Sequence, residues 1–162
     1  MEDFGNAVLK RLIAECGDAV QETHARFGDA TARVDRDRIE DVLAFLRDDP
    51  ELEFEMLTDL TAVDYLGEQP RFEVVYHLYS VAHNHRVRVK ARVPEDEPTI
   101  ASAVSLYASA NWMEREVFDL YGIHFDGHPD LRRILLYDQF EGHPLRKDYP
   151  KEKRQPLLGP RN

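Results

Sequence analysis

Cysteine is the scarcest chemically useful residue in this sequence, because Cys16 is the single thiol among 162 residues. One cysteine forms no internal disulfide, and it cannot supply the four ligands of an iron–sulfur cluster or of a thiolate zinc site. The motifs GxGxxG and GxxxxGKS/T, which hold nucleotide phosphates, are absent, and so is the GxSxG nucleophile motif. The sequence therefore excludes a cluster bound by its own thiolates and gives no sign of a nucleotide site.

Long apolar runs and an excess of basic charge are also missing. The longest uncharged run, residues 98–113, is too short to cross a bilayer, and residues 1–10 lack the basic and apolar segments of a signal peptide. The chain carries 21 basic against 31 acidic side chains, which gives a net charge of -10. Nucleic acid is therefore not an expected partner, because phosphate binding needs a basic surface, and membrane association is expected only through another protein.

The composition, with 43% hydrophobic and 32% charged residues, is typical of one folded domain. Apolar residues recur at helical spacing over residues 2–16 and 37–48, and the turn signal of Gly28 and Asp29 favours a hairpin between them. Strand-like alternation follows in ELEFEML, RFEVVYHLYSV and RVRVKARV, and a tight turn at residues 82–85 joins the last two. The first two thirds of the chain thus mix helices and strands.

The C-terminal third predicts two further helices and a tail. The segment PTIASAVSLYASA predicts one helix, and residues 112–121 predict another that Gly122 caps. A short strand is expected at residues 134–136. We expect an α+β fold over residues 1–150, a single domain whose mixed or antiparallel sheet packs helices on one face. Residues 151–162 are expected to form an extended tail that is flexible or ordered by a partner.

The segment RVRVKARV places four basic side chains on one face of a strand: Arg86, Arg88, Lys90 and Arg92. Such a face could bind an anion or an acidic partner. Alternatively, the cations oppose acids on neighbouring strands, where each ion pair stabilises the sheet by roughly 0.2–1 kcal/mol. The expected acids are Glu51, Glu53, Glu55 and Glu73. We favour the ion-paired face, because a row of like charges is usually a solvated face.

Residues 111–136 concentrate acids, arginines and histidines, which raises the question of an acid–base site. Glu114, Glu116 and Asp119 fall on one predicted helix. Glu114 and Asp119 lie about 140° apart around it, since each residue turns by roughly 100°, so they do not converge on one bond as a hydrolytic pair requires. Arg115 and Asp119 are four residues apart and are expected to pair. We therefore do not expect catalysis by these acids.

A metal site is the second interpretation of the same segment. His124, Asp126 and His128 alternate in the sequence, and His143 lies further along. On a strand, this spacing would place imidazole and carboxylate ligands for zinc or iron on one side. A glycine and a proline interrupt the segment, so we expect a turn that does not align the ligands, and no metal.

The predicted helix carries apolar side chains on more than one face: Trp112, Met113, Val117, Phe118, Leu120 and Tyr121. A helix at the edge of a small domain needs only one buried face. An apolar centre with aromatic and arginine residues and a charged rim is typical of a protein interface. The alternative, which the pattern leaves open, is a helix buried in the core.

Three segments resemble a known family. EREVFDLYGIHFDGHPDLRRILL, residues 114–136, resembles the signature of the 30 kDa subunit of respiratory NADH dehydrogenase, or complex I, which in bacteria is the C subunit of NADH-quinone oxidoreductase. LTDLTAVDYLG and EGHPLRKDYP, residues 57–67 and 141–150, resemble the same family. The resemblance covers most of residues 40–150 and is highly specific at this length.

The resemblance implies an α/β subunit in the peripheral arm of the complex, packed against the 49 kDa subunit that helps to form the quinone pocket. It implies that this chain binds no cofactor and holds no catalytic residue, while partner subunits carry FMN and the iron–sulfur clusters. The complex transfers electrons from NADH to quinone and couples this to proton translocation. The chain would lie peripherally at the cytoplasmic face of a bacterial cell membrane, as part of the complex.

Related subunits also occur in membrane-bound hydrogenase, formate hydrogenlyase and ferredoxin-dependent complexes, so the electron donor stays open. A free-standing enzyme that uses the acids and histidines of residues 114–143 is the weaker alternative. The resemblance places these residues at the expected subunit interface: Glu114, Arg115, Glu116, Asp119, Tyr121, Gly122, Phe125, Gly127, His128, Arg133, His143, Arg146, Lys147 and Asp148. Arg115, Asp119 and Arg133 are expected to support assembly more than the fold of the isolated domain.

Overall fold

The computed structural model describes residues 6–156 and residue 159. Across these residues the elements are, in chain order, α1 (Ala7–Cys16), β1 (Val20–His24), β2 (Ala30–Val34), α2 (Ile39–Asp48), β3 (Met56–Asp64), β4 (Phe72–Ser80), β5 (His85–Val93), β6 (Thr99–Ala101), α3 (Ala110–Tyr121) and β7 (His124–Asp126). Short 3-10 turns, Arg26–Gly28 and Arg36–Arg38, precede β2 and α2. None of the described helices combines the length and the hydropathy that crossing a membrane would need.

Five strands form one mixed sheet in the order β1-β2-β5-β4-β3. The β2–β5 pair is parallel, and the other three pairs are antiparallel. Strands β6 and β7 form a separate parallel pair. The β4–β5 hairpin closes with Ser80 opposite His85, as the predicted tight turn requires. The predicted α+β class, with a mixed sheet and helices, is confirmed.

Alternation along the strands decides which face of the sheet is buried. In β5, Val87, Val89, Ala91 and Val93 are each at most 3% exposed, and the basic side chains between them point to the other face. The apolar stripes of α1 and α2 join the same core, because valine and leucine recur on both at helical spacing. Leu12, for example, is completely buried, and one such side chain contributes about 1.5–3 kcal/mol.

Asn6 caps α1, because its side chain accepts hydrogen bonds from the amides of Val8 and Leu9 at 3.0 and 3.2 Å. The helix ends where it was predicted, while residues 2–5 of the predicted helix lie outside the described part of the chain. The predicted helix over residues 37–48 is confirmed as α2, and the predicted hairpin is confirmed as the β1–β2 pair.

Three predictions of local structure were wrong. Residues 51–55 alternate in burial as a strand would, but they form a turn in which Glu53 has a φ of 44°, and β3 begins only at Met56. Residues 98–109 form β6 and a series of turns instead of the predicted helix, because β6 pairs with the distant β7. Residues 134–136 form no strand, since their amides bind a side chain of α3 instead.

Candidate functional site

Gly122 ends α3 in a left-handed conformation, with a φ of 72°, that glycine adopts without strain. Its amide donates to the Phe118 carbonyl at 2.9 Å, which confirms the predicted helix cap. A Cβ atom at this position would lie 2.6 Å from the His143 ring and 2.8 Å from Arg146 Nη2. The absence of a side chain therefore lets residues 141–150, here called the C-terminal loop, pack directly against the end of the helix.

Three residues of that loop bind the carbonyl groups that end α3, and they are His143, Leu145 and Arg146. Without the loop these acceptors would have no partner inside the helix. Burial lowers the pKa of the His143 imidazole, so the ring stays neutral near pH 7 and donates through Nδ1. The Arg146 charge lies where the helix dipole favours a cation.

The side chain of Asp119 is fully buried and positions the segment that follows β7. Its Oδ2 accepts hydrogen bonds of 2.8–3.0 Å from the three amides of residues 134–136, and its Oδ1 accepts from Arg133 Nη1 at 2.7 Å. Burial alone would raise the pKa of Asp119, but these donors outweigh it and hold the pKa below its ordinary value. One carboxylate thus fixes the path of four residues.

Arg115 does not pair with Asp119, so that prediction was wrong. Its guanidinium donates to the carbonyls of Arg132 and Arg133 at 3.2 and 3.3 Å, and it lies 5.2 Å from the centre of the Trp112 ring. Asp119 pairs with Arg133 instead. Both side chains therefore tie the helix to the segment after β7, which helical spacing alone does not reveal.

Glu114 is fully buried near the start of α3 and has fewer donors. Ser102 Oγ and the amide of Ala103 each donate to it at 2.6 Å, and burial raises its pKa to about 7. The nearby hydroxyl of Tyr76 is buried too, and it has no hydrogen-bond partner within residues 6–156. Glu114 and Asp119 thus anchor different segments and do not form an acid–base pair, which agrees with their predicted divergence.

A buried arginine that the sequence patterns did not reveal anchors the far end of the C-terminal loop. Arg71, 1% exposed, donates twice to Asp64 at 2.8 Å and twice to Asp148 at 2.7 and 3.0 Å. It also binds Glu95 at 2.6 Å, and the amide of Lys147 donates to Asp64 at 2.7 Å. These bonds raise the pKa of Arg71 and lower that of both aspartates. The sequence signals were Asp64, in the family-like segment 57–67, and Lys147 and Asp148, in the family-like segment 141–150.

Three large apolar side chains stay exposed on this framework. Trp112, Leu135 and Leu145, here called the apolar triplet, are 63%, 61% and 49% exposed. The amide of Leu135 binds Asp119, the amide of Leu145 binds the end of α3, and Trp112 lies against Arg115. Exposed apolar side chains on a rigid framework that includes arginines are typical of protein interfaces.

The other predicted interface residues lie in several different settings. Phe125 is buried in the core from β7, while Tyr121 is half-buried at the end of α3. Glu116 and Gly127 are exposed, and the left-handed Gly127 has open space around its Cα. The structure therefore brings together the residues around α3 and the C-terminal loop, while Phe125 belongs to the core and Gly127 is exposed after β7.

The histidines of this segment point in different directions. The exposed His124 has its Nδ1 3.2 Å from a carboxylate oxygen of Asp126, also on β7. His128 Nε2 donates to the Asn111 carbonyl at 3.1 Å. His143 binds the end of α3. Within the described part of the chain, no group of three or more histidine, cysteine or acidic side chains is placed to hold a metal ion.

Two of the four basic side chains on β5 form ion pairs with a predicted acid, and that acid is Glu73. Lys90 Nζ and Arg92 Nε lie 2.9 and 3.1 Å from the carboxylate oxygens of Glu73, which is 3% exposed. The other three predicted acids bind groups away from this face, at Arg11, His83 and the amide of Val81. The prediction was therefore right for the C-terminal half of β5 and wrong for the choice of Glu51, Glu53 and Glu55.

Comparisons with known proteins agree with one another. A family model described as respiratory-chain NADH dehydrogenase, 30 Kd subunit, matches residues 32–155. The C subunit of the NADH-quinone oxidoreductase of Roseiflexus castenholzii is 52% identical over 143 residues, which cover 88% of this chain and 82% of that protein. A trypsin-resistant fragment (1-134) of Nqo5 superposes with a TM-score of 0.68 at 32% identity, covering 76% of this chain and 99% of the fragment.

A chain of the membrane-bound sulfane sulfur reductase, an archaeal respiratory membrane complex, is also similar in structure. It superposes with a TM-score of 0.78 at 27% identity. The superposition covers 93% of this chain and 88% of that chain.

Proposed function

Because the chain belongs to the family of the respiratory-chain NADH dehydrogenase 30 kDa subunit, we propose that it is a structural subunit of the peripheral arm of an NADH:quinone oxidoreductase. In this role the chain holds neighbouring subunits in place while they transfer electrons from NADH to quinone and couple this to proton translocation. FMN and the iron–sulfur clusters belong to those neighbours, and this chain supplies no catalytic residue.

The observation that carries the proposal is the apolar triplet on its rigid framework. Single exposed apolar side chains are common on any protein, but a tryptophan and two leucines on segments that are fixed to one helix can form the apolar centre of an interface. Here they are held by buried charges, since Asp119 fixes the segment of Leu135 and Arg71 fixes the loop that carries Leu145 through Asp148. Preorganised apolar side chains bind a partner with little loss of conformational entropy.

The partner we propose is the 49 kDa subunit that helps to form the quinone pocket. Its contact surface on this chain is the apolar triplet with the half-buried Arg133 and Arg146, because interface cores combine apolar side chains with arginine. In this arrangement the chain is attached to the cytoplasmic face of the membrane only through the complex. Within the predicted tail, the described residue Gln155 accepts from the amide of Glu141, and residues 157, 158 and 160–162 lie outside the described part of the chain.

The experiment is a double substitution, Trp112→Ala with Leu135→Ala, in the organism's own complex. We expect the amount of this chain that co-purifies with the flavin and iron–sulfur subunits in mild detergent to fall at least about tenfold, because central apolar side chains often contribute 2 kcal/mol or more. NADH:quinone activity of the membranes should fall in parallel. The melting temperature of the isolated chain should change little, because both side chains are already exposed.

The matched control is Met56→Ala with Leu66→Ala, which removes two apolar side chains that are each 50% exposed elsewhere. This control should co-purify like the unaltered chain. Equal losses in both variants would show that the apolar triplet has no special role. A chain that purifies as a monomer with turnover of its own would overturn the proposed function.

A second candidate is a homologous subunit of another membrane-bound respiratory complex, such as a hydrogenase, a formate hydrogenlyase or a ferredoxin-dependent enzyme. The similarity to the archaeal membrane-bound sulfane sulfur reductase supports it. Mass spectrometry of the co-purified subunits separates the two candidates. A flavin subunit that oxidises NADH supports the first, and a nickel–iron or ferredoxin-dependent module in its place supports the second.

A further inference from the structure

The face of the main sheet that points away from the helices has two differently charged halves. In the C-terminal half of β5, Lys90 and Arg92 are neutralised by the buried Glu73. Arg92 also lies 3.0 Å from Glu68. The positive charge of this half of the strand is therefore balanced by acids of the same chain, so it presents little net charge to a partner.

The N-terminal half of β5 is not balanced in this way. Arg86 is exposed, its guanidinium lies 5.6 Å from the centre of the Tyr79 ring, and within residues 6–156 no carboxylate oxygen lies within 4.0 Å of it. Arg88 has one such neighbour, Asp29, at 3.8 Å. Two arginines of a chain with a net charge of -10 are thus left with little or no ion pairing.

These two arginines line a surface hollow of about 480 Å³. Thr58, Asp59 and His77 complete the wall on β3 and β4. Residues two apart on a strand are about 7 Å apart, so the two guanidinium groups suit two carboxylates of one extended segment. The hollow has room for a few side chains, and nothing in the described chain fills it.

Phe27 lies on the turn that leads into Asp29 at the edge of this hollow. Its side chain is completely exposed, at 103%, and its backbone has a φ of 59°, which is a left-handed conformation. A bulky residue at positive φ is strained and persists where the surrounding structure imposes it. An exposed aromatic side chain on a turn that leads into the hollow, together with arginines that are weakly ion-paired, has the composition of an interface hot spot.

We propose that this hollow binds an acidic segment of a neighbouring subunit, whose carboxylates pair with Arg86 and Arg88 and whose apolar side chain covers Phe27. This contact lies on a different face from the apolar triplet, and it rests on the proposed function only in that the chain works inside a complex. Asp29 and Asp59 also line the hollow, so an anionic partner must bring its carboxylates to the two guanidinium groups between these aspartates. A narrow peptide segment can do this more readily than the flat surface of a membrane.

The first test is zero-length carbodiimide cross-linking of the intact complex that carries Arg86→Lys and Arg88→Lys. These changes keep the charge and make both positions reactive toward carboxylates. We expect cross-links from position 86 or 88 to an aspartate or glutamate of another subunit. Lys90 and Glu73, 2.9 Å apart, provide an internal positive control in the same sample.

Cross-links from positions 86 and 88 only to Asp29 or Asp59 of the same chain, with the Lys90–Glu73 cross-link present, would overturn the inference and leave the proposed function intact. A chain that co-purifies with no other subunit would overturn both. Binding of the purified chain to phosphatidylglycerol vesicles that is lost in Arg86→Glu with Arg88→Glu would assign the hollow to lipid headgroups and overturn the protein partner.

The second test measures how much of the chain the complex retains as salt is raised. Arg86→Glu with Arg88→Glu should reduce retention about tenfold, since close interfacial charge pairs often exceed 1.4 kcal/mol. The matched control is Lys10→Glu on α1, compared with Arg86→Glu alone, since each reverses one exposed cation. Lys10→Glu should be retained like the unaltered chain. Equal retention of both variants would contradict the inference.

Phe27→Gly distinguishes an interface role from a structural one. Glycine adopts the left-handed backbone without strain, so the isolated chain should melt at a higher temperature. The complex should nevertheless retain less of it, because the apolar contact is gone. A variant that is both more stable and fully retained would show that Phe27 contacts no partner.

Discussion

The two ends of α3 each bury one carboxylate, and the surroundings shift their pKa values in opposite directions. Near the start, Glu114 accepts from one hydroxyl and one amide, and burial raises its pKa to about 7. Near the end, Asp119 accepts from three amides and from Arg133, and its pKa is lowered although burial opposes this. Both side chains are 0% exposed, so the depth of burial does not explain the difference.

The difference is explained by the number and the charge of the donors. A buried carboxylate remains ionised when several donors and a cation replace its hydration, and it takes up a proton when they do not. Asp119 has become a fixed anchor for the segment that carries Leu135. Glu114 holds the β6 segment with fewer bonds, so that end of α3 depends on pH.

The largest expected effect comes from Asp119→Ala. The substitution leaves three amides and Arg133 without their acceptor, and removal of one partner of a buried ion pair typically costs about 3–5 kcal/mol. We expect the free energy of local opening to fall by this amount for residues 134–136, because they lose their acceptor, while the amides of β4 and β5 keep their protection. Residue-resolved hydrogen exchange on the isolated chain measures the protection of residues 134–136 and of the β4 and β5 amides.

Asp119→Asn is the matched variant, since it keeps the shape and one oxygen acceptor while it removes the charge. Its free energy of local opening at residues 134–136 should lie between the values for the unaltered chain and for Asp119→Ala. Unchanged exchange at residues 134–136 in Asp119→Ala would show that the carboxylate does not hold this segment. A loss spread evenly over the whole sheet would show that Asp119 supports the core and not the loop.

The second effect is a dependence of stability on pH that comes from Glu114. Between pH 4.5 and about 7 the unfolded chain has released this proton and the folded chain keeps it, so the free energy of unfolding falls as pH rises. A pKa shift of this size lowers the free energy of unfolding by about 3 kcal/mol above pH 7, relative to its value below pH 4.5. Asp119 acts in the opposite sense, because its stabilisation is complete above pH 3.8 and is lost as pH falls below it.

Glu114→Gln tests this dependence, because the amide keeps hydrogen-bonding atoms but does not titrate. The variant should be more stable than the unaltered chain at pH 8 and should lose the slope between pH 4.5 and 7 that Glu114 causes. Glu116→Gln, an exposed change on the same helix, should leave the slope in place. Denaturant unfolding at several pH values measures both, and an unchanged slope in Glu114→Gln would contradict the buried, proton-binding role.

The smallest expected effect is that of Tyr76→Phe near the Glu114 end. The hydroxyl is buried and has no partner within the described residues, so its removal should leave the free energy of unfolding unchanged or raise it by about 1 kcal/mol. Thermal unfolding measures this. A loss of more than about 1 kcal/mol would show that the hydroxyl has a bonding partner, such as an internal water molecule.

The sequence predicted the elements that depend on neighbouring residues. Helix α2 follows from its apolar spacing, the β4–β5 hairpin from alternation and a turn, and the end of α3 from Gly122. The family resemblance was correct as well, because it rests on several segments at once. These signals are local, or they repeat along the chain, and one sequence is enough to read them.

Residues 51–55 were wrongly predicted because of a local turn with a left-handed Glu53, and the other misses concern contacts between distant parts of the chain. Residues 98–110 were expected to be helical, but β6 forms because β7 supplies a parallel partner. Arg71 gives no local sign that it will bind Asp148, 77 positions away. Asp119 was assigned to Arg115, its neighbour on the helix, although the loop brings Arg133 and three amides within reach. Tertiary packing decided each of these long-range cases and overrode the local preference.

The most direct test of the proposed assembly role is hydroxyl-radical footprinting of Trp112 and Leu135 in the free chain and in the intact complex. Both side chains are more than 60% exposed in the free chain, so both should be oxidised readily there. In the complex we expect both to be protected, because the apolar triplet is covered by a neighbouring subunit. Oxidation of Trp112 and Leu135 at the same rate in the complex as in the free chain would contradict this role.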